Sequence, residues 1–133
     1  MQVVTLFAST AIIFLALDAI MLIFVMSPLF ERHIASLLVP DIRLGAAIAF
    51  YLVYIVGVLY FVSVPSLAAG SSTYALLNGA LLGALAYGTY EVTNYATLKG
   101  WSWQMVGADV AWGALLTGVS AWAGVWITRA IFA

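Results

Sequence analysis

Three carboxylic acids, Asp18, Glu91 and Asp109, stand inside stretches otherwise apolar enough to cross a bilayer. A carboxylate at the centre of a span costs at least about 2.5 kcal/mol on insertion scales, so three of them ask for mutual or functional compensation. Burial and mutual repulsion both favour the neutral acid, so such a group either shares protons or holds a cation. No lysine or arginine lies at the same depth: Arg32 and Arg43 fall in the first connection, Lys99 in the third, and Arg129 at the end of the last apolar stretch. Around Glu91, the side chains of Tyr87, Thr89, Tyr90, Thr93, Asn94 and Tyr95 supply hydrogen-bond donors for whichever carboxylate stays charged. The chemistry this suggests is binding or exchange of protons, a cation or a small ligand. The plainer alternative is that the acids are protonated ties between helices, each worth roughly 1 kcal/mol in a membrane.

Helical spacing assigns each acid a face. Glu91 aligns with Ala80, Ala84, Tyr87, Gly88, Asn94 and Tyr95, a face that is small on one half and hydrogen-bonding on the other. Asp109 aligns with Ser102, Met105, Trp112, Gly113, Leu116 and Ser120. The face of Asp18 is apolar, with Ala11, Phe14, Met21, Leu22 and Val25, so its carboxyl must find a partner on another helix. Trp112 either walls the acid site, contacts a ligand or simply packs in the core. The candidate binding set is therefore Asp18, Tyr87, Glu91, Asn94, Asp109 and Trp112, with no metal ligand set and no cofactor indicated. Gly79 and Gly83 form a GxxxG spacing that suits close packing within the chain better than a dimer seam.

The elements that must position these residues follow from composition. The chain has 133 residues, 66% of them hydrophobic and 7% charged, and its mean hydropathy is +1.17. Such a chain cannot present an adequate polar surface to water, which makes it an integral membrane protein. Four stretches, 3-26, 44-64, 74-98 and 103-129, reach the roughly 20 apolar residues that a bilayer core requires. The predicted architecture is an all-α membrane protein, a single transmembrane domain over 1-133 built as a four-transmembrane-helix bundle. Asp18 stands eight residues before the end of its span, Glu91 seven before its own, and Asp109 six after the start of the last. Helices of alternating direction thus bring all three acids to one level, roughly 9 to 12 Å inside the boundary.

The breaks carry recognisable stop and start signals. Ser27-Pro28 ends the first span, Pro65-Ser66 closes the second, Gly70 to Thr73 offers a turn with a cap, and Ser102 suits the N-cap of the last helix. In the first connection Phe30, Ile34, Leu37 and Leu38 recur at helical spacing opposite Glu31, Arg32, His33 and Ser36. This predicts a short interfacial helix, with Ser27 as its N-cap and Pro28 at its first position. His33 is expected to be a surface residue. Trp101, Trp103, Trp122 and Trp126 fit interface anchors, and most of the second-span aromatics fit the same belts.

Arg32, Arg43 and Lys99 share one side of a four-span chain and only Arg129 opposes them, which places both termini on the non-cytoplasmic side of an inner membrane. Four cations spread singly exclude nucleic acid as a partner. The bilayer itself is the expected partner, with a homodimer or a larger membrane complex as further options. With no cysteine, disulfides and thiolate chemistry are excluded.

Leu17-Asp18, Pro40-Asp41, Phe50-Tyr51-Leu52, the run Ala86-Tyr87-Gly88-Thr89-Tyr90-Glu91 continuing through Thr93-Asn94-Tyr95-Ala96-Thr97-Leu98-Lys99, and Asp109-Val110-Ala111-Trp112-Gly113 together form a pattern. It resembles the bacterial membrane family of domain of unknown function 2177 over nearly the whole chain. Where this chain has Glu91 the family pattern often has Asp, which preserves an acid; where it has Met21 the pattern has tryptophan, which removes a ring. The resemblance implies a compact bacterial inner-membrane protein with the acids as shared residues, and it implies no activity. Two functional alternatives stand beside the acid-site reading. One is an enzyme or accessory factor in lipid modification, with Arg32, Arg43 or Lys99 holding a lipid headgroup phosphate. The other is a structural subunit of a larger complex. No nucleophile-base pair, HExxH or phosphate loop accompanies the acids.

Overall fold

Leucine, valine, isoleucine and alanine dominate every long segment, and without water to compete for the backbone such segments satisfy their own amides as helix. The computed structural model describes residues 1–133 and is all helix with no strand. Its four helical rods are α1 (Gln2–Leu37), α2 (Leu44–Ala69), α3 (Ser72–Thr97) and α4 (Trp103–Ile131). Three of them, α1, α2 and α4, are both long and apolar enough to cross a membrane. The 26 residues of α3 give it the length, but Asn78, Asn94, its threonines and its tyrosines make it less apolar than the others.

Two caps form as expected. The Tyr74 amide donates to Ser71 Oγ at 3.1 Å, and the Met105 amide donates to Ser102 Oγ at 3.2 Å. Each satisfies one of the amides left free at a helix start.

Two of the three prolines, Pro28 and Pro65, behave otherwise than their sequence context suggests. Ser27 is helical, at φ −61° and ψ −48°, and makes no capping bond; α1 runs through Pro28 to Leu37. Pro65 does not close α2, which continues to Ala69 and ends at Gly70 in the left-handed region, φ 66°. In both rods a widened π-turn precedes the proline, Leu22–Met26 in α1 and Leu59–Ser63 in α2. There the Ser27 amide reaches back to the Leu22 carbonyl, and the Val64 amide to the Leu59 carbonyl. The wider turn absorbs the missing proline donor and gives its ring room against the preceding carbonyls. Both sites share Leu-x-Phe-Val-x-x-Pro, Leu22 to Pro28 and Leu59 to Pro65.

The tail of α1 is therefore the end of a long helix finished by a 3₁₀ turn at Ala35–Leu37. Its apolar side turns inward only in part. Ile34 is buried in a small cluster with Trp101, Met105 and Val106, joined by Leu29 and Phe30, whereas Leu37 and Leu38 are exposed. His33 is half-buried, and its Nδ1 donates to the Leu29 carbonyl at 3.0 Å.

Packing is uneven. The closest pair is α3 on α4, where Gly79 and Gly83 face Gly113, Thr117 and Gly118. A side chain on Gly79 would stand a tight 3.0 Å from the Gly118 Cα, and one on Gly83 would overlap the Gly113 carbonyl, so at Gly83 only hydrogen lets the backbones meet. In α1, Thr10 lies against Gly124 of α4. α2 joins the main core through Ile55, Val58, Leu59 and Val62, alongside Phe14, Leu116, Ala121 and Val125. The first half of α2, Leu44–Val58, approaches α1 lightly while its backbone stands off from α3 and α4.

Candidate functional site

Glu91 is fully buried. Its Oε1 accepts a hydrogen bond of 2.9 Å from Trp101 Nε1, and its Oε2 has no donor. The Asp109 carboxyl lies alongside, within reach of a shared hydrogen bond. The α3–α4 turn explains how an indole ten residues later comes back to the acid. Gly100 takes φ 82°, and a Cβ there would sit 3.0 Å from the His33 carbonyl, so the turn tucks beneath the α1 tail. The Trp101 ring is then held between Phe30 and Tyr90, at 5.6 Å and 5.8 Å.

Asp18 finds the inter-helix partner that its apolar face requires. Its Oδ1 accepts from Trp112 Nε1 of α4 at 3.2 Å, and Tyr51 of α2 lies beside the same carboxyl. Asp18 itself is 8% exposed. Across the gap left by α2, the Tyr54 hydroxyl and Thr117 Oγ1 share a hydrogen bond of 3.0 Å, and the Tyr54 ring stands edge-on to Tyr87. Tyr87 in turn lies over Gly113, where any side chain would strike its ring.

These residues enclose a cleft of about 400 Å³. Asp18 and Asp109 line it together with Tyr51, Tyr54, Tyr87 and Tyr90, and its remaining wall is apolar, including Leu22, Met26 and Phe50. Glu91 stands behind the cleft, reached through Asp109. The three acids thus divide into a Glu91–Asp109 pair and an Asp18–Trp112 pair, with Asp18 and Asp109 facing one space. No group of three carboxylates or histidines converges as a metal-binding set.

Four of the sequence-derived candidates, Asp18, Tyr87, Asp109 and Trp112, line the cleft or bond to its lining, and Glu91 bonds behind it. Asn94 does not line the cleft; it is half-buried further along α3, beside Tyr90. Tyr95 points away and lies on Trp103 with ring centroids 4.1 Å apart. Gly88 faces open space, so it makes room for nothing. Arg32, Arg43 and Lys99 are exposed and none lines the cleft. Trp101 is not an interface anchor but a buried donor to Glu91. Tyr51 and Tyr54 belong to the site more directly than the belt reading of the second span allows, and Tyr90 of α3 lines the cleft with them. Trp103, Trp122 and Trp126 are exposed.

Fold and composition define the class, a helical membrane protein with ionisable groups buried between its helices. The chain belongs to the predicted membrane protein family of domain of unknown function 2177, whose pattern it matches over residues 3–126. No curated protein and no solved structure matches it.

Proposed function

We propose that this protein is a membrane binding protein in which Asp18, Glu91 and Asp109 hold and exchange protons as a ligand enters the cleft. One observation carries the reading: a fully buried glutamate has one oxygen on an indole donor, no donor on the other, and a second carboxyl alongside. Two adjacent carboxyls without a cation are most stable when they share one proton, and that proton is held by the pair rather than by either residue. Asp109 joins this pair to the cleft. Protonation at Glu91–Asp109 and occupancy near Asp18 and Asp109 are therefore linked through charge.

The setting we propose is a bacterial inner membrane crossed four times, with α3 as the least apolar span and 1–133 as a single unit. The α1 tail lies at the membrane surface. Contact between Gly100 and the His33 carbonyl puts the first and third connections at one end. With Arg32, Arg43 and Lys99 also at that end, the positive-inside rule makes it cytoplasmic and leaves both termini outside. The lipid-enzyme alternative loses support because the three cations it would use for a phosphate stand clear of the cleft.

Infrared titration of the reconstituted protein tests the core of this reading. A protonated-carboxyl C=O band should be present at neutral pH, and Glu91→Gln or Asp109→Asn should remove or displace it. An unchanged spectrum in both variants would mean that no proton is held there.

A further inference from the structure

The cleft's lining limits what it can hold. Nine of its eleven lining residues are hydrophobic, so the space suits an organic body rather than a hydrated ion. A bare divalent ion is held by several oxygen ligands, mostly carboxylates, and no three Asp, Glu, His or Cys side chains are grouped to hold one. The two charged residues in the lining are both acids, Asp18 and Asp109, and no lysine or arginine accompanies them. Tyr51, Tyr54, Tyr87 and Tyr90 contribute four aromatic rings around the same space. Carboxylates combined with several aromatic rings are the environment in which an organic cation is held best. The rings attract positive charge through their quadrupoles without requiring it to donate hydrogen bonds.

We propose that the cleft binds a lipophilic organic cation, an ammonium carrying an apolar body, with its charge set between the tyrosine rings and the Asp18 and Asp109 carboxyls. This rests on the acid-site reading above and names its ligand class. Phospholipid headgroups that carry an ammonium also carry a phosphate a few atoms away, which the two carboxyls would repel, so a phosphate-free cation fits better than a phospholipid. Entry is laterally past α2. Its first half stands off from α3 and α4, and only side chains such as Tyr54, through Thr117 and Tyr87, bridge the gap. Binding of a fixed positive charge beside Asp109 favours loss of the proton held with Glu91, so uptake of one cation releases a proton.

The test uses the full chain in detergent, titrated calorimetrically with benzyltrimethylammonium and with neopentylbenzene, its uncharged carbon isostere. Saturable binding of the ammonium is expected, with at least tenfold weaker binding of the hydrocarbon. Asp18→Asn should weaken the ammonium at least tenfold. Tyr51→Phe, which keeps the ring, should stay within about threefold of the parent, while Tyr51→Leu should fall well below it. Equal binding of the two isosteres, no saturable heat with the ammonium, or indifference to Asp18→Asn would each overturn the proposal. The infrared band recorded on the same samples separates the two readings. A titrating band without ammonium binding defeats only the ligand class, whereas Asp18-dependent ammonium binding without the band upholds the ligand class and defeats proton exchange.

Discussion

The α3–α4 seam and the first half of α2 both run alongside the acids, and they are packed in opposite ways. Along the seam, a Cβ on Gly118 would stand 2.8 Å from the Leu76 carbonyl, and one on Gly83 would overlap the Gly113 carbonyl. Along the first half of α2, Gly45 and Gly57 have nothing within 4 Å, Phe50, Val53 and Val56 are exposed, and only Ile55 and Val58, near its end, are buried in the core. Where no hydrophobic effect drives helices together, association depends on how closely backbones approach. The seam therefore fixes Glu91 against Asp109, while α2 forms the loosely held wall of the cleft. A protonatable pair needs a rigid frame, and a ligand needs a wall that can yield. The π-turns before Pro28 and Pro65 belong to the two helices, α1 and α2, that border the looser side.

The largest effect should come from filling the seam. Gly83→Ala drives a methyl into the Gly113 carbonyl and to within 2.8 Å of the Thr117 Cβ. Neither is the far end of a flexible side chain, so the helices must separate. Overpacking of this kind costs about 1–3 kcal/mol. Unfolding in mixed micelles should show it as a lower midpoint, with Glu91 and Asp109 pulled apart and the infrared band altered. Parental stability in this variant would contradict the rigid half of the contrast.

Trp101→Phe falls in the same range but leaves the seam closed. Phenylalanine keeps the ring between Phe30 and Tyr90 but removes the indole donor to Glu91 Oε1. A buried acceptor deprived of its partner costs about 1–3 kcal/mol. The same exchange at Trp112 should cost less, about 1 kcal/mol or under, in line with interhelical hydrogen bonds in membranes. Its acceptor Asp18 borders the cleft and has Tyr51 beside it. A matched pair of unfolding curves measures the difference. If Trp112→Phe proves the more damaging, the Asp18 side is the rigid one and the contrast is reversed.

How much of this was legible in the sequence depends on the range of the signal. The acids and the Gly79–Gly83 packing are local patterns that helical spacing exposes directly, and the caps, Ser71 within the Gly70 to Thr73 turn and Ser102, follow from residue types at the breaks. The continuation of α1 through Pro28 and of α2 through Pro65 was hidden, because a proline ordinarily ends a helix unless the preceding turn widens. The Leu-x-Phe-Val-x-x-Pro repeat was the available clue. Trp101 was misplaced because its position beside a tight turn matches an interface anchor. Only the left-handed Gly100, pressed on the His33 carbonyl, swings the ring back to Glu91. The face assigned to Glu91 erred towards Asn94 and Tyr95 because spacing along one helix cannot say which arc its neighbours cover. The arc that lines the cleft, Ala86, Tyr87 and Tyr90, is turned part of a turn from it. The standing-off of α2 is a relation between helices and leaves no local mark.

The smallest effects should come from glycines outside the seam, and they test the contrast from its open side. Gly57 in α2 and Gly88 in α3 sit within helices, neither has a positive φ, and neither has an atom within 4 Å of where a Cβ would stand. Alanine at either site meets no clash and lowers the conformational freedom of the unfolded chain. In soluble helices that difference favours alanine by roughly 0.5–1 kcal/mol. Gly57→Ala and Gly88→Ala should therefore unfold at the parental midpoint or slightly above it, in the same micelles that expose Gly83→Ala. A marked loss at Gly88, on the same helix as Gly83 and only five residues away, would mean that another surface closes over this face in the membrane. The division between a sealed seam and an open wall would then have to be redrawn around that surface.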